Sequence, residues 1–405
     1  MDGYDILILG GGASGLAAAI EAAQSDVRVC VLEKLDRVGK KILATGNGRC
    51  NLLNLHASPV DYNDPRAVQP VLWAYDVRSN LDFFHALGLL TAADAEGRVY
   101  PRSYAASSVL DVLRLECARL GVEFRCGEAA ETLQYKDNLF VVNGTHRARA
   151  VIVSCGGQAS PAHGSDGSGY ALLRAFGHTV TPLRPALVQI RTAPDLVRRL
   201  KGLRVQGTMR LTAPDGAAHE AQGEILFTDY GLSGIAAMEL SRWAKEGCTA
   251  QLDLLPEMTL PELTAHLQFI RARDEARPLE QFLTGVVHSR VGQAVLQDTL
   301  HEKLSVPCAA LTDYQVHAVA RTLKCLSIPV LGTKGFPDAQ VTAGGVPMRE
   351  FTQSLESKNR PGLFACGEIL DVDGKCGGYN LTFAWSSGRM AGRNAAEYVI
   401  NSNKG

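Results

Sequence analysis

Tyr4-Asp5-Ile6-Leu7-Ile8-Leu9-Gly10-Gly11-Gly12-Ala13-Ser14-Gly15 is the stretch on which the fold turns. Its first six residues are a short, mostly apolar run, the pattern of a parallel strand buried on both faces. Gly10, Gly12 and Gly15 then match G-x-G-x-x-G, and Leu16 to Ala23 continues as a small-residue helix able to lie close to a sheet. Gly10 makes the tight turn, Gly12 lets backbone approach a pyrophosphate, and Gly15 permits helix to pack on strand. Ala13 and Ser14 stand in the first helical turn, where free N–H groups and the positive dipole end favour phosphate. A glycine motif alone is a weak signal, but its setting strengthens this one. Val27 to Leu32 reads as a second strand ending at Glu33, a carboxylate placed to accept hydrogen bonds from ribose hydroxyls, with Lys34 beside it. An acid there disfavours a 2′-phosphate, so FAD or NAD is expected rather than NADP.

FAD is longer than its adenosine half, and two further segments meet that demand. Residues 38–51 set Gly39, Gly46 and Gly48 among Lys40, Thr45, Asn47, Arg49, Cys50 and Asn51. Lys40 and Arg49 would offset phosphate charge or stabilise reduced flavin, while the Asn47 and Asn51 amides would donate to the ring's carbonyl edge. The plainer reading of each is a solvated loop residue. Near the other end, Pro361 to Glu368 reads as a short strand closed by Gly367 and Glu368, the latter a candidate for the ribityl chain. Asp371, Asp373, Gly374, Gly377, Gly378, Tyr379 and Asn380 then form a glycine-rich turn, and Leu381 to Ala396 is helical in pattern, its N-terminus directed at the flavin pyrimidine ring. Val151 to Gly157 looks like another parallel strand ending under the cofactor at Gly156, and the segment Gly121 to Leu133 would bring backbone near Ala130 to the adenine.

Bulk properties agree with a small-molecule enzyme. A chain of 405 residues exceeds what one core usually serves, so two or three domains are expected. With 41 basic and 42 acidic residues and no long like-charge run, nothing recruits nucleic acid or anionic lipid. The ten cysteines include no Cys-x-x-Cys pair or zinc-like cluster, so no metal is expected. No signal peptide or membrane span is read, and the default is a reduced, cytoplasmic protein of unassigned oligomeric state.

At this point the residues resemble a known family. GGGASGL at the start, GKKILATGNGRCNLLN at 39–54, FTDYGLSG at 227–234, VTAGGV at 341–346 and GEILDVDGKCGGYNLTFAWSSGRMAG at 367–392 look like the bacterial flavoproteins of the aminoacetone oxidase family, also named for a bile-acid 3-dehydro-Δ4,6-reductase. The resemblance covers essentially the whole chain. It implies an α/β fold: a Rossmann-like FAD-binding domain of glutathione-reductase type, split between the chain ends (1–187 and 335–405). A β-rich substrate domain (188–256 and 324–334) is inserted, carrying a helical insertion at 257–323. The residues agree independently, with strand-like runs at Val188 to Arg191, Thr208 to Leu211 and Gln251 to Leu254, a Pro214-Asp215-Gly216 turn, and helical spacing from Leu260 to about Leu323 with Pro261 at a helix start. One departure stands out: the family pattern has His where this chain has Asp229, and Pro-Ala where it has Ile235-Ala236.

The chemistry implied is hydride transfer through N5 of FAD, to or from a small organic substrate. An enone reductase also needs an acid beside the hydride acceptor and a donor on the ketone. Tyr379, Tyr230, Tyr104 and Arg102 qualify by type; Tyr379 is chosen for its glycine-rich neighbourhood, with Asp229 as a second catalytic candidate. Cys50 and Cys376 lie in the flavin motifs, but a buried small hydrophobe is the commoner role for a lone Cys. No second complete G-x-G-x-x-G follows a strand, so NADH or NADPH would reduce the flavin by a transient visit. Three readings follow: an NAD(P)H-driven reductase of an enone such as an unsaturated 3-oxo steroid or bile acid, an amine oxidase of aminoacetone type producing peroxide, and a flavoprotein acting on RNA. The near-neutral charge argues against the last.

Overall fold

A computed structural model describes residues 3–300 and 303–402 of the chain, which divide into two compact units: 3–185 with 339–402, and 186–338. In the first unit, seven strands form one sheet: β1 (Gly3–Leu9), β2 (Val29–Glu33), β3 (Glu123–Cys126), β4 (Leu133–Lys136), β5 (Leu139–Val142), β6 (His146–Val153) and β7 (Leu363–Ala365). Their order is β3-β2-β1-β6-β5-β4, and β7 also pairs with β6. The contacts among β1, β2, β3, β6 and β7 are parallel, whereas β4 and β5 make an antiparallel hairpin at the edge. Ile6 to Leu9 are wholly buried, as a strand covered on both faces requires.

Register brings the strand ends together: Leu9 lies opposite both Leu32 and Val153, and Val153 lies opposite Ala365. The loops that follow β1, β2, β6 and β7 therefore all leave the same edge of the sheet.

Helix α1 (Ala13–Ala23) is almost entirely small, and the long α2 (Tyr379–Asn401) lies directly on it. A Cβ on Gly388 would stand 2.3 Å from the Ser14 carbonyl oxygen, and one on Gly392 2.2 Å from that of Ala18. Nothing larger than glycine fits at either place. Arg389, between them, donates to Glu21 on α1 (2.5 Å) and to the Ser79 carbonyl oxygen (2.9 Å), and covers the Tyr75 and Phe83 rings. A small antiparallel sheet of Leu53–Asn54, Arg98–Pro101 and Thr91–Ala93 belongs to the same unit.

The segment leading to β7 is held by a buried histidine. His178 stacks on Phe351 (4.8 Å), with Nδ1 2.8 Å from Glu350 Oε2 and Nε2 2.8 Å from Ser357 Oγ. Burial alone would raise the Glu350 carboxyl, but hydrogen bonds from Thr179 and His178 outweigh it and hold the group below its ordinary value.

In the second unit, Ile190–Thr192, Gly231–Ser233, Ala218–Phe227, Arg204–Thr212, Thr249–Asp253 and Leu326–Thr333 form, in that spatial order, a closed antiparallel barrel. Pro214 to Gly216 make the turn between its two longest strands. Helices Leu260–Arg273, Ser289–Leu300 and Asp313–Lys324 follow the Thr249–Asp253 strand, and their Leu263, Leu267, Val291, Val295, Val316 and Val319 share one buried core with Met209, Phe227, Leu252 and Ile328 of the barrel. Pro261 lies in the first turn of its helix, behind a capping box of Thr259 and Glu262.

Several boundaries differ from the sequence reading. The strand expected from Val188 starts at Ile190, because the Val188 N–H donates to Ser241 Oγ (3.2 Å) instead of a neighbouring strand. The strand expected through Gly157 ends at Val153, where Ser154 Oγ turns back onto the Gly10 carbonyl oxygen (2.9 Å) and Gly156 adopts a positive φ of 74°. Helix α2 begins at Tyr379, ahead of Leu381, and continues past Ala396 to Asn401.

Gly392→Val should cost about 3 kcal/mol or more, because its side chain meets backbone that cannot step aside; thermal unfolding measures this, and an unchanged midpoint would show that the helices can separate freely. Glu350 tests the histidine lock. A depressed folded-state pKa adds stability that is present above the unfolded value of roughly 4.3 and is lost as pH falls through the folded value. Glu350→Gln should therefore lower the unfolding midpoint at about pH 7, and the gap from the parent should shrink towards about pH 3. A gap that is constant across this range would remove the electrostatic account.

Candidate functional site

The shared edge of the sheet gathers most of the residues singled out above. After β1, Gly10 has a φ of 107° and lies so close to Ser154 that a Cβ would stand 2.7 Å from its carbonyl oxygen. A Cβ on Gly15 would stand 2.0 Å from the Gly10 carbonyl oxygen, whereas one on Gly12 would meet nothing within 4 Å. The outer glycines are thus packing necessities, and the middle one faces open space at the head of α1. There the N–H groups of Ala13, Ser14 and Gly15 have no acceptor earlier in the helix.

Glu33 is nearly buried at the end of β2 and is fixed by two backbone donors, Gly11 N–H to Oε2 and Leu35 N–H to Oε1, both at 2.9 Å. Each carboxylate oxygen keeps a further lone pair for a ribose hydroxyl. The Glu128 N–H donates to the Glu33 carbonyl oxygen (3.0 Å), which runs the segment carrying Ala130 past the same strand end. Lys34 pairs with Asp166 (2.7 Å), from the glycine-rich loop after β6. Burial would raise Asp166, but Lys34 and Ser168 outweigh it and bring the group down to about 2. An open cradle at Gly12, a pinned acid at Glu33 and paired loops around them fit the pyrophosphate and adenosine halves of FAD.

The flavin-type segments also converge. Gly367, with a φ of 77°, packs on Ser14 so that a Cβ would stand 2.3 Å from its hydroxyl oxygen, and the Gly367 N–H donates to Ser387 Oγ (3.0 Å). In the 45–51 loop, Gly46, Asn47, Gly48 and Cys50 all have positive φ, freely adopted by the two glycines but costly at Asn47 and Cys50, a strain that the surrounding contacts must hold. With its amide turned to satisfy its neighbours, Asn51 donates to the Leu53 carbonyl oxygen and accepts from the Gly378 N–H, both at 3.2 Å, joining this loop to the C-terminal turn. Asn380 clasps that turn through Gly374 and Lys375, the Asp373 N–H donates to Asn63 Oδ1 (3.0 Å), and Leu381 packs half-buried on the core. Thr45 Oγ1 donates to the Ile42 carbonyl oxygen (2.6 Å). The Tyr379 carbonyl oxygen accepts the Tyr62 hydroxyl (2.7 Å), and the two rings meet edge to face.

Some contacts at this edge escaped the sequence reading. Lys40 pairs with Asp36 (2.5 Å), and it is Lys41 that reaches Glu368 (2.7 Å). The other oxygen of Glu368 accepts from the Thr342 N–H and hydroxyl, and Thr342 Oγ1 in turn accepts from the Gln158 and Ala159 N–H groups. Only VTAGGV, quoted as a motif, hinted at Thr342. Asp229 lies in the other unit, exposed and paired with Lys201 (2.7 Å), which lowers its pKa. Burial pushes the Cys50 thiol up to about 11 despite a hydrogen bond with Thr45, so its thiolate is scarce at neutral pH. Among the described residues, no group of three or more His, Cys, Asp or Glu could hold a metal ion, and no helix is long and apolar enough to cross a membrane.

Residues 4–394 match the family model described as HI0933-like protein Rossmann domain. A 3-dehydro-bile acid delta(4,6)-reductase from Clostridium scindens is 39% identical over 96% of this chain and 98% of its own length. Ribosomal RNA dihydrouridine synthases are more distant: that of Escherichia coli is 29% identical over 96% of each chain, and that of Haemophilus influenzae 28% over 94% and 96%.

The glycines offer a paired test. Gly12→Ala should leave thermal stability of the cofactor-free protein unchanged while weakening FAD binding about 10-fold or more, since its methyl group occupies the open cradle. Gly15→Ala should lower both. Equal behaviour of the two variants in unfolding and in flavin-release titrations would contradict the division of labour among the glycines.

Proposed function

This chain belongs to the HI0933-like family and is an FAD-dependent oxidoreductase, and from that premise we propose that it reduces a carbon–carbon double bond conjugated to a carbonyl, in an unsaturated 3-oxo steroid or bile acid. The observation that carries this reading is the 39% identity, over nearly the full length of both chains, to a reductase named for such a substrate. The dihydrouridine synthases support the same bond type, because the uracil double bond that is saturated in dihydrouridine is also conjugated to a carbonyl.

Bound FAD, once reduced by a nicotinamide nucleotide, would supply the hydride, from N5. The chain's own tasks are then to hold the pyrophosphate on the first turn of α1, to fix the ribose at Glu33, to keep water away, and to donate a proton to the carbon beside the hydride acceptor. Tyr379 is the proposed donor, fixed at the start of α2 by the Tyr62 hydroxyl on its carbonyl oxygen. Asp229, lowered by Lys201, is ionised at neutral pH, which suits a charged contact better than proton donation. NADH or NADPH is the proposed electron source, visiting the flavin transiently. The ten free cysteines support a reducing, cytoplasmic setting as part of this reading.

A ribosomal RNA uridine is the second reading, favoured by the two synthases and opposed by a net charge of -1. The experiment is anaerobic reduction of the FAD-loaded protein by NADH or NADPH, followed by addition of a 3-oxo-4,6-diene steroid, and separately of a ribosomal RNA fragment. Flavin should bleach and then recover colour with the steroid. Recovery with the RNA alone would favour the second reading, and bleaching by aminoacetone with peroxide on readmission of air would identify an amine oxidase instead. Tyr379→Phe should slow the steroid step by about 10²-fold or more and leave bleaching by the nicotinamide unchanged.

A further inference from the structure

We propose that Arg49, Tyr100 and Tyr104 form a receiving platform for a planar conjugated carbonyl compound that carries a carboxylate, so that Arg49 serves the substrate and not the cofactor. This rests on the reductase reading and names the kind of substrate that its site would take.

The argument begins with charge. The lysines of the flavin-type loops, and Arg98 beside them, are matched: Lys34 with Asp166, Lys40 with Asp36, Lys41 with Glu368, Lys375 with Asp61, and Arg98 with Asp94 and Glu96. Arg49 is exposed, and its side chain makes one long hydrogen bond, from Nε to the Gly46 carbonyl oxygen (3.4 Å). Its guanidinium lies 5.2 Å over the Tyr100 ring, which holds the group in place without using the rest of its donor fork. A fork so placed is a receptor for a planar anion.

The rings supply the second part. Tyr104 stands 5.9 Å from Tyr100 at an interplanar angle of 34° and is 46% exposed. Its φ of 53° is rare for an aromatic residue, and the strained turn, closed by Tyr104 N–H to the Pro101 carbonyl oxygen (2.8 Å), presents the ring beside Tyr100. Tyr100 is itself buried and serves as the support, so the half-exposed Tyr104 ring is what a ring system would lie against, and the guanidinium held over Tyr100 gives its charge a fixed end.

The platform is attached to both flavin-type motifs. Arg49 belongs to the 45–51 loop itself. The sheet carrying Tyr100 is bonded to the C-terminal turn, where Asn54 Nδ2 donates to the Gly377 carbonyl oxygen (2.9 Å) and a Cβ on Gly377 would touch the Arg98 side chain at 3.6 Å. Because residues two apart share a strand face, Arg98 and Tyr100 present the same side of that sheet to the turn.

The test titrates the FAD-loaded protein, without reductant, with a 3-oxo-4,6-diene steroid acid and with its methyl ester, following perturbation of the flavin spectrum. The acid should bind about 10-fold more tightly than the ester. Arg49→Gln should remove that preference while retaining FAD, Arg49→Lys should restore part of it, and Tyr104→Ala should weaken acid and ester alike. Equal binding of acid and ester by the parent, a preference that survives Arg49→Gln, or release of FAD by that variant would each overturn the proposal. Equal perturbation by ester and acid would sink the platform alone, whereas neither compound perturbing the oxidised flavin here, nor reoxidising the nicotinamide-reduced flavin in the anaerobic experiment described above, would sink the reductase reading with it.

Discussion

Backbone-to-backbone contact between α1 and α2 is the constraint from which the rest of the first unit follows. Gly388 and Gly392 bring α2 to within van der Waals distance of the Ser14 and Ala18 carbonyl oxygens, and Gly367 seats the loop before it on Ser14. With those contacts made, the C-terminal turn at 373–380 is delivered to the head of the N-terminal helix. The β1-β2-β6-β7 register then completes the site, since it lines up the ends of four parallel strands at one edge. A single added methyl group at either helix glycine acts on the site from a distance by lifting one half of it off the other.

The electrostatic character of that edge follows from how its lysines are spent. Lys34, Lys40 and Lys41 each face a carboxylate at 2.7 Å or less. A pyrophosphate would therefore be met mainly by N–H groups and the helix dipole, which are fixed in direction, and less by mobile ammonium groups. The paired lysines act instead as ties between loops distant in sequence: Lys41 joins residue 41 to residue 368, and Lys34 joins residue 34 to the loop after β6.

Much of this was legible in the sequence where the signal is local. The run from Tyr4 to Gly15 dictates strand, turn and helix from adjacent residues, and Glu33 follows because a buried strand has only one place to end. The antiparallel inserted unit was visible as short strand-like runs, with the helices marked by Pro261 and their spacing. What stayed hidden depends on partners far along the chain. Nothing near Lys41 distinguishes it from Lys40, and the difference arises only when residue 368 arrives. The three-stranded sheet of residues 53–101 gave no usable pattern, because strands of two to four residues are too short to show alternation. His178, Glu350 and Ser357 are each unremarkable alone and become a buried lock only through the fold.

Building one sheet from both ends of a chain also has a cost in time. On a ribosome, β1 and α1 emerge well before the helix that covers α1, which follows only after the inserted unit and β7 have been made. At about 5–20 residues per second, the wait is on the order of tens of seconds. Throughout it, Ile6 to Leu9, wholly buried in the finished protein, have no α2 to close over them, while the inserted unit 186–338 is synthesised in full and is free to fold by itself. The first unit can therefore close its flavin-binding edge only after the inserted unit has been made.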